Sequence, residues 1–169
     1  MSLLTATHED FEARNGAPLP AGVYRVLVEQ AGQEASQNGT QFKRMYGQIR
    51  TRDGATEIPA ANGGGTFRIG NRKLFARSWI EHTNPKAVKA GNAQIVREAA
   101  AAGLMQAPAK GESAELPFDS WDEYAAQLAG REVLVKVILQ TRKSKQGGAE
   151  LDADGKPVVD SVVSDWITP

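Results

Sequence analysis

The chain has no cysteine, and only two of its 169 residues are histidine. The missing cysteines exclude disulfide bonds, thiolate metal ligands and thiol nucleophiles, and their absence is typical of proteins from a reducing compartment. The first residues also lack the basic segment followed by an apolar segment that begins a secretory signal. We therefore expect a protein of the cytoplasm.

Long apolar runs are absent as well, because the chain has no stretch of about 18 consecutive apolar residues. The sequence therefore predicts no membrane-spanning helix and no membrane partner. Apolar residues make up 41% of the chain and charged residues 24%, as in an ordinary globular protein. A chain of 169 residues has the length of one domain with a sizeable core.

Residues typical of catalysis are sparse. The two histidines, His8 and His82, lack the spacing of metal ligands. The segment 152–163 begins like a calcium-binding loop but has the wrong residues at its later ligand positions. Three acids at the start of a predicted helix suit capping and the helix dipole, namely Asp119, Asp122 and Glu123. We predict no enzymatic activity, no cofactor and no metal, with a nuclease built on these acids as the enzymatic alternative.

The formal net charge is zero, yet the charges are unevenly distributed along the chain. Residues 41–77 contain eight Lys or Arg and two acids, and residues 131–147 contain five Lys or Arg and one acid. Residues 150–169 contain one Lys and five acids. Positive charge therefore accumulates on predicted strands and their loops, which favours an anionic partner. Charge that is simply scattered over the solvated surface is the alternative.

Apolar alternation and turn signals predict five strands and two helices. The strands are expected at 22–31, 40–50, 73–82, 131–143 and 158–167, and the helices near 92–103 and 119–130. Asn38-Gly39 predicts a hairpin turn between the first two strands. Glycine-rich and polar residues predict loops at 53–71 and 144–157.

The domain organisation follows from the same pattern. Residues 1–20 are rich in Gly and Pro and are interpreted as an irregular N-terminal arm. Residues 21–169 are interpreted as a single domain, in which residues 83–130 form a helical insertion.

The segment 73–82 carries the most informative pattern. In a strand, successive side chains point to opposite faces. One face takes Leu74, Ala76, Ser78 and Ile80, and the other takes Lys73, Phe75, Arg77 and Trp79. Aromatic rings that alternate with cations suit a single-stranded nucleic acid, because bases stack on the rings and phosphates pair with the cations. The alternative is that the rings complete a second core or lie under a loop.

The segment 40–50 repeats this pattern. Its first face takes Phe42, Arg44, Tyr46, Gln48 and Arg50, and its second takes Lys43, Met45, Gly47 and Ile49. We expect the second face, apart from Lys43, to point to the core. Paired side by side, the two strands would then form one exposed patch with four rings and a fringe of cations: Phe42, Tyr46, Phe75 and Trp79 with Arg44, Arg50, Lys73 and Arg77.

Three strands, a helical insertion and a final pair of strands are the element order of the OB-fold, a five-stranded, partly open Greek-key barrel. That fold binds oligonucleotides on its second and third strands and on the loops that join strands 1–2 and 4–5. The two aromatic and basic faces fall on the predicted second and third strands. Three further cations stand at the start of the predicted 4–5 loop: Arg142, Lys143 and Lys145.

The chain also resembles a family, through LPAGVYRVLVEQA and NGTQFKRMYGQI, IVREAAAAGL, LAGREVLVKV and VVDSVVSDW. These segments, spread over about residues 19–167, look like the single-stranded DNA-binding proteins of tailed bacteriophages, formerly a phage family of unknown function. The resemblance implies an OB-fold that coats single-stranded DNA with little sequence preference during phage replication or recombination, in the cytoplasm of the bacterial host.

The resemblance also bears on partners. Many such proteins end in an acidic tail that recruits replication enzymes, whereas this chain ends SDWITP with its acids dispersed. Besides the DNA, replication or recombination proteins are expected partners. Assembly into a homo-oligomer is an alternative that the sequence does not decide. A different class of function also stays open, in which the aromatic β-face is an interface of a protein-interaction module or virion component.

Overall fold

A computed structural model describes residues 18–59 and 65–169. In these ranges the chain forms seven strands and two helices: β1 (Gly22–Ser36), β2 (Gly39–Thr51), β3 (Glu57–Pro59), β4 (Thr66–Arg68), β5 (Leu74–His82), α1 (Pro85–Ala101), α2 (Trp121–Leu128), β6 (Glu132–Thr141) and β7 (Val159–Ile167). The mainly β fold and the order of the five predicted strands are confirmed. Most of the predicted N-terminal arm, including His8, lies outside the described residues.

The five long strands form one sheet in the order β5-β2-β1-β6-β7, and every neighbouring pair is antiparallel. β5 and β7 are its two edges, and no ladder of hydrogen bonds joins them in the described chain, so the sheet is not a closed barrel. β3 and β4 form a separate two-stranded hairpin. The prediction that residues 53–71 form only a loop is therefore wrong, because Ile58 and Phe67 pair across this hairpin and pack against the core.

The hairpin predicted at Asn38-Gly39 is present, and it joins β1 to β2 through a two-residue turn at Gln37 and Asn38. Gly39 opens β2 with a φ of 152°, and a Cβ atom there would lie 1.9 Å from the carbonyl oxygen of Glu81. This position therefore requires glycine for both reasons, since the backbone of β5 passes directly beside it.

Helix α1 begins earlier than predicted. Asn84 caps it by accepting a hydrogen bond from the backbone N–H of Lys86 at 3.0 Å, and Pro85 follows at the first helical position. Proline is favoured there because that residue has no partner for its N–H in any case. The predicted stop at Gly103 is confirmed, with a φ of 75°. None of the described helices is long and apolar enough to cross a bilayer.

Helix α2 begins with a variant of the capping box, in which Ser120 is the N-cap residue. Ser120 accepts from the backbone N–H of Glu123 at 3.1 Å, and the Glu123 carboxylate accepts from the backbone N–H of Asp119 at 3.1 Å. Gly130, with a φ of 83°, follows its C-terminus. The Glu123 carboxylate, one of the three considered for a nuclease, is thus engaged at the start of this helix.

Helix α1 packs against the two edge strands of the sheet. Gly91 lies so close to β5 that a Cβ atom there would stand 2.0 Å from the carbonyl oxygen of Trp79. Further along, Arg97 pairs with Asp165 of β7 at 3.4 Å. The helix therefore covers the gap between β5 and β7, and its Ile95 enters the core with the apolar side chains of the strands.

The start of the described chain belongs to this core as well. The Leu19 side chain is buried, and its carbonyl oxygen accepts a hydrogen bond from Ser161 of β7 at 3.0 Å. Tyr24 donates to the carbonyl oxygen of Pro20 at 2.7 Å. The packed fold therefore includes the last residues of the predicted arm.

Candidate nucleic-acid interface

Strand β5 places its side chains as predicted. Leu74, Ala76, Ser78 and Ile80 are buried on one face. On the other face, Phe75 is 61% exposed, Arg77 is exposed and Trp79 is half-buried. The Trp79 ring contacts His82 edge-on, with ring centroids 4.4 Å apart. This contact holds the indole in place and leaves part of it exposed to solvent. β5 therefore presents two rings and a cation to solvent.

The faces predicted for residues 42–46 of strand β2 are wrong. Phe42 and Tyr46 are 0% exposed and Arg44 is 1% exposed, so all three point into the core and not to an exposed patch. Phe42 stacks on Tyr124 of α2 with centroids 5.2 Å apart. The opposite face of β2, which carries Lys43 and Met45, is the one that reaches solvent.

Arg44 can be buried because its charge is neutralised there. Its Nε atom lies 2.8 Å from a carboxylate oxygen of Glu98 on α1, and both side chains are inaccessible. Its Nη1 atom donates to the carbonyl oxygen of Phe42 and to the hydroxyl of Ser78, each at 2.9 Å. The guanidinium also lies 5.1 Å from the ring of Trp166. Burial alone would lower the pKa of Arg44, but Glu98 raises it above its ordinary value.

Two tyrosine hydroxyls complete this buried cluster. Tyr46 donates to the same Glu98 carboxylate oxygen that accepts from Arg44, Oε2. Tyr124 donates to the second carboxylate oxygen of Glu98, Oε1, at 3.0 Å. The indole N–H of Trp166 donates to the Tyr46 hydroxyl at 2.9 Å. Burial and the Glu98 charge raise the pKa of both tyrosines, so both stay protonated. The cluster connects β2, α1, α2 and β7 through buried hydrogen bonds, so we interpret its role as structural.

A β-bulge changes the alternation of β2. Gln48 and Ile49 together stand opposite a single residue of β1, and Gln48 has a φ of 49°. The extra residue reverses the faces beyond it, so Ile49 is buried and Arg50 is exposed. Arg50 is therefore on the surface as predicted, but on the face opposite to Phe42.

The residues that share the solvent face of β5 are different from those predicted. In the register of the two strands, Gln41 pairs with Trp79, Lys43 with Arg77, and Met45 with Phe75. We call these six residues the outer β-face. Met45 was predicted to point to the core, Lys43 was the exception on that face, and Gln41 was not assigned, because no signal in β2 alone distinguishes its two faces.

Carboxylates neutralise part of this positive charge. Lys43 pairs with Glu34 at 2.7 Å and lowers the pKa of that carboxyl group. Lys73 pairs with Glu29 at 2.6 Å. Arg77, in contrast, has neither an ion pair nor a hydrogen bond among the described residues, although its charge also contributes to the lowered pKa of Glu34.

The predicted cations at the start of the β6–β7 connection differ from one another. Arg142 makes two hydrogen bonds with Asp160, at 2.9 and 2.6 Å, which lower the pKa of that carboxyl group. Lys143 and Lys145 are not paired with a carboxylate in the described chain. Two strands, β2 and β1, lie between β5 and β6 in the sheet, so this cluster is not a direct neighbour of the aromatic strand.

Within the described ranges, no group of three or more His, Asp or Glu side chains is arranged to hold a metal ion. The comparisons with family models and with curated proteins found no match for this chain. The geometry of the sheet and the chemistry of its surface are therefore the basis for inferring a function.

Proposed function

We propose that this protein is a single-stranded DNA-binding protein with an OB-type fold, and that it coats the strand with little sequence preference. The observation that carries the proposal is the outer β-face, where Phe75, Arg77 and Trp79 are presented to solvent on one strand. The resemblance to the phage proteins adds the setting, namely phage DNA replication or recombination in the host cytoplasm, without enzymatic activity.

The strand order supports the fold assignment. Counted along the chain without the small hairpin, the sheet order is third, second, first, fourth, fifth strand, and a helix follows the third strand. An OB-fold has the same succession, and its ligands bind across its second and third strands. In this chain those strands are β2 and β5, which carry the outer β-face.

The chemistry of this face supports a single strand over a duplex. Phe75 and Trp79 are four residues apart on one face, which places them about 13 Å apart along the strand. Unpaired bases have free faces that stack on such rings regardless of sequence, whereas the bases of a duplex are stacked on one another. The unpaired Arg77 lies between the two rings, where it can meet the phosphate that joins the stacked bases.

The ion pairs at the edge of this face favour a second candidate, a protein-interaction surface. Lys43 and Lys73 already have carboxylate partners, and Phe75 and Met45 offer apolar surface to another chain. The two candidates differ in their response to salt. Phosphate contacts release counterions, so DNA affinity falls steeply with salt, whereas an apolar contact changes little.

Titration of labelled oligo-dT, duplex DNA and RNA at two salt concentrations tests the proposal. We expect tight, salt-dependent binding of oligo-dT and weak binding of duplex. Phe75→Ala should weaken oligo-dT binding by about 1–3 kcal/mol through loss of stacking. Leu139→Ala is the matched control, because Leu139 is also an exposed apolar residue, at 47%, and its strand β6 is separated from β5 by β2 and β1. Equal affinities of the two variants would contradict the role of the outer β-face.

A further inference from the structure

A polar cleft lies at the end of the outer β-face. Its volume is about 420 Å³, which is within the range of small-ligand sites. One wall is the β-bulge of β2, with Gln48 and Arg50, and the other is formed by the hairpin and the turn after it, with Glu57, Arg68 and Asn71. Two arginines and two neutral amides therefore face one opening, against a single carboxylate.

Both walls are anchored in the core. Ile49, between the two cleft residues of β2, is 0% exposed. On the other side, Ile69 is also 0% exposed, and its backbone N–H donates to the carbonyl oxygen of Thr56 at 2.9 Å. The side chains that line the cleft therefore stand on fixed backbone, which keeps the binding groups at a constant separation.

The cleft holds the most unusual backbone of the described chain. Gln48 is the only non-glycine residue there with a positive φ. Glycine is the residue that such a bulge position favours, since a side chain is strained at this φ. Retaining an amide side chain at a strained position beside a cleft points to a use for that side chain.

The two arginines of the cleft differ in whether a carboxylate is paired with them. Arg68 lies 3.3 Å from the Glu57 carboxylate and is already neutralised. Arg50 has no ion pair and no hydrogen bond among the described residues. Arg50 is therefore the group that an incoming phosphate would meet, and Gln48 and Asn71 are left to contact the group attached to that phosphate.

The cleft lies next to the outer β-face. Met45 and Phe75 are cross-strand partners, and Gln48 follows Met45 by three residues, or about 10 Å along β2. Between them, the ion pair of Lys73 and Glu29 lies over Gly47, where any Cβ atom would collide with it. A strand stacked on Phe75 thus reaches the cleft over a short, charged ridge.

We infer that this cleft binds one nucleotide of the bound strand, with its phosphate on Arg50 and its base against the amides of Gln48 and Asn71. The inference rests on the proposed function and adds a mild base preference to it. Glutamine and asparagine amides pair with the N6 and N7 atoms of adenine through a donor and an acceptor. An adenine nucleotide is therefore the expected occupant.

Side-chain NMR signals of the full chain test the cleft directly. Deoxyadenosine monophosphate and inorganic phosphate are the two probes. We expect both to move the Nε signal of Arg50, and only the nucleotide to move the side-chain amide signals of Gln48 and Asn71. Arg52, an exposed arginine outside the cleft, should not respond. Amide signals that stay in place at saturating nucleotide would overturn the inference.

Binding of oligo-dA and oligo-dT to variants tests the link to the strand. Gln48→Gly removes the amide but suits the positive φ, so the fold is retained. It should weaken oligo-dA relative to oligo-dT by about fivefold or more. Arg50→Ala should weaken both oligonucleotides alike, and Arg52→Ala should change neither.

The outcomes separate the two ideas. If Phe75→Ala weakens DNA binding while Gln48→Gly and Arg50→Ala do not, the proposed function stands and the cleft inference is wrong. If no oligonucleotide binds while the nucleotide still moves the amide signals, the proposed function is wrong and the cleft is supported as a nucleotide site.

Discussion

Arg44 and Arg77 lie on neighbouring strands, and each has an aromatic residue two positions before it and two positions after it. Arg44 is 1% exposed and bound to Glu98, whereas Arg77 is exposed and has no ion pair in the described chain. The same local pattern therefore produces a buried structural cluster on β2 and a solvent-facing row on β5. The partner supplied by α1, 54 residues further along the chain than Arg44, makes the difference.

This contrast shows what an aromatic and basic pattern specifies. Alternation fixes which residues share a face, because successive side chains of a strand point in opposite directions. It does not fix which face is inside. A cation can lie in the core if its charge and most of its hydrogen bonds are matched there, as for Arg44, whose buried Nη2 atom alone lacks a partner among the described residues.

The strongest test of this contrast is to remove the charge opposite Arg44. Glu98→Gln keeps the size of the side chain but leaves the buried guanidinium without its counter-ion, so unfolding free energy should fall by about 3–5 kcal/mol. Urea denaturation measures it. Glu34→Gln is the matched control, because it removes the carboxylate of the exposed Lys43 pair on the same sheet and should change little. Equal losses of unfolding free energy in the two variants would mean that the buried Arg44 does not depend on its carboxylate more than the Lys43 pair at the surface does.

High pH should weaken the buried cluster selectively. The pKa values of Tyr46 and Tyr124 lie above the ordinary value of 10.0, because burial and Glu98 disfavour the phenolate. The unfolded chain therefore loses these protons first. Stability from this source is complete below about pH 10 and falls above it, by up to about 1.4 kcal/mol per pH unit for each tyrosine.

Urea titrations between pH 8 and 11 check this expectation. Tyr46→Phe should be less stable than the parent chain at pH 8, and its stability should fall less steeply above pH 10. Parallel pH profiles for the two proteins would show that the Tyr46 hydroxyl does not titrate differently in the folded chain.

The smallest effect on the fold is expected at Arg77. Arg77→Ala should leave the unfolding free energy within about 0.5 kcal/mol, because the side chain is exposed and unpaired. It should weaken DNA binding for all sequences alike and reduce the salt slope by about one. Arg142→Ala should reduce that slope less, since Asp160 and Glu150 already neutralise Arg142. A larger effect at Arg142 would move the site to the β6–β7 connection.

Much of the fold was predictable because its signals are local. The five strands and the end of the first helix at Gly103 follow from alternation and from residues that favour particular backbone angles. The start of α1 at Asn84-Pro85 was also visible in the sequence, although the apolar spacing alone placed it later. The small β3–β4 hairpin was missed because each of its strands has only three residues.

The candidate site was predictable on β5 and not on β2. Leu74, Ala76 and Ile80 identify the buried face of β5, whereas both faces of β2 mix apolar and basic residues. One signal was present but far away. Glu98 lies three residues after Ile95 and directly before Ala99, which places a carboxylate on the apolar face of a helix. A buried carboxylate needs a cation or hydrogen-bond donors, and only the tertiary structure shows that Arg44 is its cation.

The dependence of Arg44 on Glu98 also bears on how the chain can be divided. β1, β2 and β5 are complete at His82, before α1 begins, so a fragment ending there contains the arginine and lacks its carboxylate. During synthesis on the ribosome, the same three strands emerge before Glu98 does. The first half of this protein should therefore not form a native core by itself. Strand β2 should bury Arg44 only after the helix that carries Glu98 has been synthesised.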